Sequence, residues 1–185
     1  YGTVGRLAAV GSAIDDFSTG DRVFFAGTHA SVQRFTHEHE HQWAHLFAVP
    51  DDLDPVKASV GCMAQIAMTA PDITELTLGD TVAVFGLGLV GVLAAQMYAL
   101  RGAHVIGVDP VASRCAVAQQ AGIETTVDTA PADQVAAVRE LTGGQGAAVC
   151  VDATGVTPAL LSAVDATATF GQVVLLGTPR TPCEG

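Results

Sequence analysis

The sequence predicts an α/β fold, a doubly wound parallel sheet preceded by part of a β domain. Three observations predict it. From Thr81 onward, strand-like runs alternate with helix-like stretches. A glycine-rich turn, G-L-G-L-V-G, joins the first of those strands to the first helix. Before them, residues 1–54 read as short strands broken by turns.

In the N-terminal part, "TVGRLAAVG" alternates loosely and should stop at Gly11. "TGDRVFF" turns at Gly20-Asp21 and feeds a strand from Arg22 to Phe25. "HLFAVP" is a further short apolar run, closed by Pro50. Over 55–78 the period changes: Met63, Ile66, Ala67 and Ala70 recur at helical spacing, which predicts a helix or helix pair as a crossover. Pro71 should end or kink it.

Residues 79–185 carry the regular alternation. Strands are expected at Val82–Phe85, His104–Val108, Glu124–Val127, Ala148–Asp152 and Gln172–Leu176, with helices near 89–101, 111–121, 132–142 and 157–167. Helices of this length between strands imply right-handed βαβ units. The apolar runs fit strands covered on both faces.

Composition narrows the function classes. Hydrophobic residues make up 49% of the chain, which supports a packed core. Eight Lys+Arg stand against 19 Asp+Glu, a net charge of -11, so nucleic acid and anionic lipid are poor partners. No apolar run approaches the roughly 20 residues that span a bilayer, and no basic flank or signal core is present, so a cytoplasmic protein is expected. Cys62, Cys115, Cys150 and Cys183 show no CxxC spacing and read as reduced, mostly buried thiols.

The glycine turn has its own chemistry. Gly86 permits a tight turn, Gly88 lets backbone approach a pyrophosphate, and Gly91 lets the helix pack on the strand. Amides near Leu89 and Val90, at the positive end of the helix dipole, then point at the phosphates. The second strand ends at Asp109, 21 residues past Gly88. A carboxylate there can accept from both ribose hydroxyls of NAD and repel the 2′-phosphate of NADP. Such a charged hydrogen bond is worth about 1.5–3 kcal/mol.

With these residues in view, the chain resembles the medium-chain dehydrogenase/reductase superfamily, of the zinc alcohol and polyol dehydrogenase type. "GTVGRLAAVGSAIDDFSTGDRVF" is similar to that family's GroES-like barrel strands, and "GTHASVQRF" to the strand that follows. "VPDDLDPVKAS" resembles the crossover, and "LTLGDTVAVFGLGLVGVLAAQMYALRGAHVIGVDPVASR" the start of the Rossmann domain. "VDATG" and "GQVVLLGTP" resemble its fourth and fifth strands. The resemblance implies a Rossmann-type domain over 79–185, incomplete at its C-terminus, after part of a GroES-like domain over 1–54.

Its cofactor roles transfer by position. Gly86, Gly88 and Gly91 match the phosphate glycines, with Leu89 and Val90 as pyrophosphate amides. Asp109 matches the ribose acid and Arg114 a basic residue flanking that ribose, where a guanidinium could also bind a 2′-phosphate. Thr154 resembles the wall of the adenine side, and Leu176, Gly177 and Thr178 the segment that meets the nicotinamide amide. The implied activity is NAD-dependent hydride transfer between nicotinamide and a small alcohol or carbonyl, in a homo-oligomer. NADP is the less favoured cofactor, and zinc is expected in a full-length parent.

The family's catalytic zinc cysteine, Gly-His-Glu motif and four-cysteine lobe are not in this sequence, which reads as the middle of a dehydrogenase roughly half its usual length. No catalytic residue is therefore assigned. Two alternatives stand: a zinc-free enoyl or quinone reductase, against which "GLGLVG" with Asp109 argues, and a non-catalytic nucleotide-binding module or subunit.

Four other features invite chemistry. Cys62 lies near the place of a third zinc ligand, but a small buried helix thiol is the favoured reading. In "HEHEHQWAH", His37, His39, His41 and His45 could bind a metal, and Glu38 and Glu40 interleave them. The preferred reading is a surface strand and loop. His29 is expected to be solvated or hydrogen-bonded.

Overall fold

A computed structural model describes residues 2–35 and 46–178. The chain divides into two compact units, Tyr1–Met63 and Ala64–Gly185.

In the first unit, β1 (Gly2–Arg6), β2 (Arg22–Ala26) and β3 (Phe47–Ala48) form an antiparallel sheet in that order. The alternation of "RVFFA" buries Val23 and Phe25 on one face. β1 ends at Arg6, well short of Gly11. The chain turns there: Gly20 donates to the Leu7 carbonyl at 2.7 Å and Leu7 to the Asp21 carbonyl at 3.0 Å, and Ala8 and Ala9 lie exposed. Arg22 fastens the segment after β3. Its guanidinium donates to the carbonyls of Leu53 at 2.7 Å, Asp51 at 3.2 Å and Pro50 at 3.3 Å.

The crossover is one helix, α1 (Pro55–Asp72), rather than a pair. Pro71 sits in its last turn, where the helix is ending anyway. No helix among the described residues is long and apolar enough to cross a membrane.

The second unit holds a five-stranded parallel sheet in the order β6-β5-β4-β7-β8. Its strands are β4 (Thr81–Phe85), β5 (His104–Val108), β6 (Thr125–Val127), β7 (Ala147–Asp152) and β8 (Thr167–Leu175). The helices between them are α2 (Leu89–Leu100), α3 (Ala112–Gln120), α4 (Gln134–Leu141) and α5 (Thr157–Ala166). This is the Rossmann-type architecture the sequence predicts.

Alternation within each central strand divides the core between two faces. Val82, Val84, Val149 and Val151 pack with Ala95 and Tyr98 of α2 and with Cys115 and Ala118 of α3. Ala83, Phe85, Ile106 and Cys150 pack with Val138 of α4 and with Ala163 and Ala166 of α5. Both faces are covered, which is why β4 and β7 read as continuous apolar runs. Burial pushes the Cys150 thiol up to about 11 and also raises Cys115, so both stay protonated and serve as packing groups.

β8 begins five residues earlier than its sequence suggests, through a shift in its pairing with β7 between Ala147 and Val149. At that irregularity Phe170 has φ 65° and is fully exposed, at 101%. A bulky residue in the left-handed region costs about 1–2 kcal/mol, and here no burial offsets it. Phe170→Gly is therefore expected to raise the melting temperature by about 2–4 °C in a chain of this size, read by thermal denaturation. A lower melting temperature would show that the ring makes a contact in solution.

Candidate functional site

Three strands end level with one another. Phe85 of β4 pairs with Val108 of β5 on one side and Asp152 of β7 on the other. The strand order reverses at β4, so a crevice opens outside the carboxyl ends there, the usual ligand position in such sheets. Gly86 continues from β4 into this crevice, and its amide donates to the Val108 carbonyl at 2.7 Å.

The three glycines of the turn serve different ends. Gly86 has φ 92°, and a Cβ there would stand 2.6 Å from Thr154 Cγ2. At Gly91 a Cβ would stand 1.8 Å from the Gly86 carbonyl oxygen. Both are required by the chain's own packing. Gly88, the residue before α2, has φ -73°, and a Cβ there would meet nothing within 4 Å among the described residues. No packing among the described residues requires a glycine there. No side chain among the described residues caps α2, so its first amides, at Leu89 and Val90, border the open space at Gly88.

Asp109 closes the other side of the turn. Its side chain is 2% exposed. Oδ2 accepts from the Leu87 amide at 2.9 Å, within the glycine turn itself, and Oδ1 accepts from the Val111 amide at 2.9 Å. Arg114 Nη1 donates to Oδ2 at 3.3 Å, while most of that arginine side chain stays in solvent. A carboxylate has about four acceptor positions, and three are in use. The carboxylate expected for a ribose is thus also a structural member of the glycine turn, a role the sequence did not reveal.

The remaining predicted residues gather beyond β7. Thr154 donates through its amide and its hydroxyl to Asp152 Oδ1, at 2.9 and 2.5 Å. Leu176 and Gly177 donate their amides to the Asp152 carbonyl, at 2.9 and 2.7 Å. A Cβ on Gly177 would stand 2.4 Å from the Gly155 nitrogen, and one on Gly155 2.6 Å from the Thr178 carbonyl oxygen. The two segments therefore meet backbone to backbone. The sequence reading gave Asp152 a place at the end of its strand and in "VDATG" but no site role, although an acid ending the apolar run "AAVCVD" was a visible signal. Its side chain is fully buried, and Oδ2 has no hydrogen-bond partner among the described residues.

Two other candidates, Cys62 and His29, belong to the first unit. Cys62 is half-buried on α1, and no group of three potential metal ligands forms among the described residues. His29 is exposed, and has an interaction partner. His37, Glu38, His39, Glu40, His41 and His45 lie outside the described residues.

Residues 90–184 match the family described as zinc-binding dehydrogenase. The chain belongs to that family. The chain is 31% identical over 183 residues to D-guloside 3-dehydrogenase of Escherichia coli, an alignment that takes in 98% of the chain and 51% of the relative. It therefore spans about half the length of that relative. Among solved structures, zinc-dependent alcohol dehydrogenase 2 of Streptococcus pneumonia superposes with a TM-score of 0.81 at 20% identity, over 98% of the chain and 60% of that protein. A zinc-binding dehydrogenase of Sinorhizobium meliloti, solved with NADP, gives 0.79 at 24% identity, over 97% and 61%. These likenesses agree with the fold, and the family assignment agrees with the resemblance read from the sequence.

The site suits a dinucleotide on its own geometry. The uncapped start of α2, the open space at Gly88, the carboxylate bonded into the turn and the unpartnered oxygen of Asp152 all lie along the carboxyl edge of β5, β4 and β7. For zinc, the described residues do not assemble a donor set, and no step is assigned to the metal.

Proposed function

We propose that the chain is the dinucleotide-binding part of an NAD-dependent alcohol or polyol dehydrogenase. The observation that carries this reading is the glycine turn Gly86–Gly91 with the Asp109 carboxylate bonded to its Leu87 amide. When bound, the nicotinamide ring supplies or accepts the hydride that interconverts an alcohol and a carbonyl. The residues of this chain bind and orient it. Amides of Leu89 and Val90 face the pyrophosphate, and Gly88 leaves the approach clear. The fourth acceptor position of Asp109 takes a ribose hydroxyl, with Arg114 beside it. Thr154 walls the adenine side, and Leu176, Gly177 and Thr178 present backbone to the nicotinamide amide.

Cofactor preference follows from the Asp109 carboxylate, which a 2′-phosphate would approach with like charge. NADH is expected to bind at least about tenfold more tightly than NADPH, a difference of about 1.4 kcal/mol. Titration of both by nicotinamide fluorescence reads the ratio. Equal or tighter binding of NADPH would overturn the assignment of Asp109 and make exposed Arg114 the deciding group.

A further inference from the structure

One carboxylate of Asp109 has to serve two places, the Leu87 amide and the open side of the crevice, so the angle at which its backbone leaves β5 bears on both. The sheet stops supporting that backbone at this point. β5 pairs with β6 only as far as Val108 and Val127. The Asp109 amide still donates to the Val127 carbonyl at 3.0 Å. Its own carbonyl lies past the ladder and precedes Pro110, which has no N–H. A thiol reaches it. Cys115, in the first turn of α3, donates to the Asp109 carbonyl at 3.3 Å, with the Val127 carbonyl farther off at 3.7 Å.

Cys115 is itself held in place. It is 4% exposed, and its amide donates to the Val111 carbonyl at 3.3 Å. The Thr126 hydroxyl of β6 lies against the thiol, and Gln119 Nε2 donates to Thr126 Oγ1 at 2.9 Å. These bonds join α3, β6 and the exit of β5 at one sulfur. Burial, then the Asp109 and Asp128 carboxylates, raise the thiol above its ordinary range, so it keeps the proton it donates. Packing alone would ask only for volume at this place, whereas the bond asks for a proton.

We propose that Cys115 is a positioning residue for Asp109. Its thiol proton fixes the Asp109 carbonyl, and through it the direction of the carboxylate that separates a dinucleotide with a free 2′-hydroxyl from one with a 2′-phosphate. The inference rests on the dinucleotide reading above, and Cys115 acts only through Asp109. Sulfur is a weak donor, so the effect falls on the preference rather than on binding as a whole.

The test uses the protein expressed from its complete reading frame. NADH, NADPH and nicotinamide mononucleotide are titrated by calorimetry into the parent, Cys115→Ser, Cys115→Ala and Cys115→Val. Alanine and valine bracket cysteine in volume and lack the donor. They are expected to narrow the preference for NADH over NADPH about fivefold, by weakening NADH. Serine keeps a donor and is expected to hold the preference within about twofold of the parent's. The mononucleotide has no adenosine ribose and should bind all of them alike. Raman spectroscopy supplies a second readout. The parent should show a lowered S–H stretch that Cys115→Ser removes and that AMP, not the mononucleotide, displaces. If the alanine and valine variants fail to fold, that band decides. Equal weakening of NADH and NADPH in those variants overturns the proposal, as does a serine variant that loses the preference as alanine does. So does an unchanged preference throughout, or the want of a lowered band at Cys115. A parent that binds neither dinucleotide, or NADPH as tightly as NADH, removes the Asp109 reading as well. A parent that prefers NADH leaves that reading standing whatever the variants do.

Discussion

Gly91→Ala is expected to cost about 3 kcal/mol of stability or more and to abolish measurable NADH binding. The added Cβ would stand 1.8 Å from the Gly86 carbonyl oxygen, 3.0 Å from its carbon and 3.3 Å from Ala153 Cβ. Those first two atoms are backbone at the exit of β4 and cannot rotate away. Relief requires α2 to withdraw from the sheet, which unpacks Ala94, Ala95 and Tyr98, all fully buried. The same movement carries the first amides of α2 away from the turn. Gly88→Ala is the matched control. Its Cβ meets nothing among the described residues, so stability should hold within about 0.5 kcal/mol while NADH affinity falls about tenfold or more. Urea denaturation and NADH titration of the two variants separate the cases. A Gly91→Ala variant with the parent's midpoint would mean that helix and strand are not packed as described.

The second large effect concerns Asp109. Asp109→Ala is expected to lose about 3 kcal/mol of stability together with the preference for NADH, because one side chain serves both ends. Removing the carboxylate leaves the Leu87 and Val111 amides without their acceptors, each previously held at 2.9 Å, and it frees Arg114 from its partner. Loss of the acceptor at Leu87 loosens the glycine turn itself, so binding should weaken for NADH and NADPH alike, and for NADH more. Asp109→Asn should fall between. Its amide has one oxygen and can satisfy one of the two backbone donors, while its nitrogen faces the other. Chemical denaturation of the three proteins orders their stability, and parallel titrations order the preference. An alanine variant as stable as the parent would show that water replaces the carboxylate freely, and that Asp109 reads the ribose without supporting the turn.

Much of the second unit was legible in the sequence because its signals are local. β4, β5 and β7 announced themselves as apolar runs of strand length, and the spacing of Gly86, Gly88 and Gly91 marked a tight turn between strand and helix. The ends of α2, α3, α4 and α5 fell within about two residues of expectation, a normal margin for helix termini. The N-terminal part was less legible. β1 stops at Arg6 since Leu7 pairs with Gly20 and Asp21, partners more than ten residues away that no alternation of apolar residues encodes.

What the sequence by itself determined was the kind of each element and the residue types brought to one edge of the sheet. Periodicity, glycine spacing and an acid at a strand end are properties of a short stretch, and they survive in any tertiary setting. Only the tertiary structure decided what each of those residues does. It separated Gly91, which a carbonyl oxygen forbids to carry a Cβ, from Gly88, which nothing among the described residues restrains. It turned Asp109 inward onto Leu87 and left Asp152 with an oxygen unpaired among the described residues. It also put Phe170 at positive φ in a strand that began earlier than its sequence suggested. The physical reason is the same in each case: contact between groups distant in sequence depends on how closely two elements approach, and fractions of an ångström there decide whether a side chain fits or a donor reaches its acceptor.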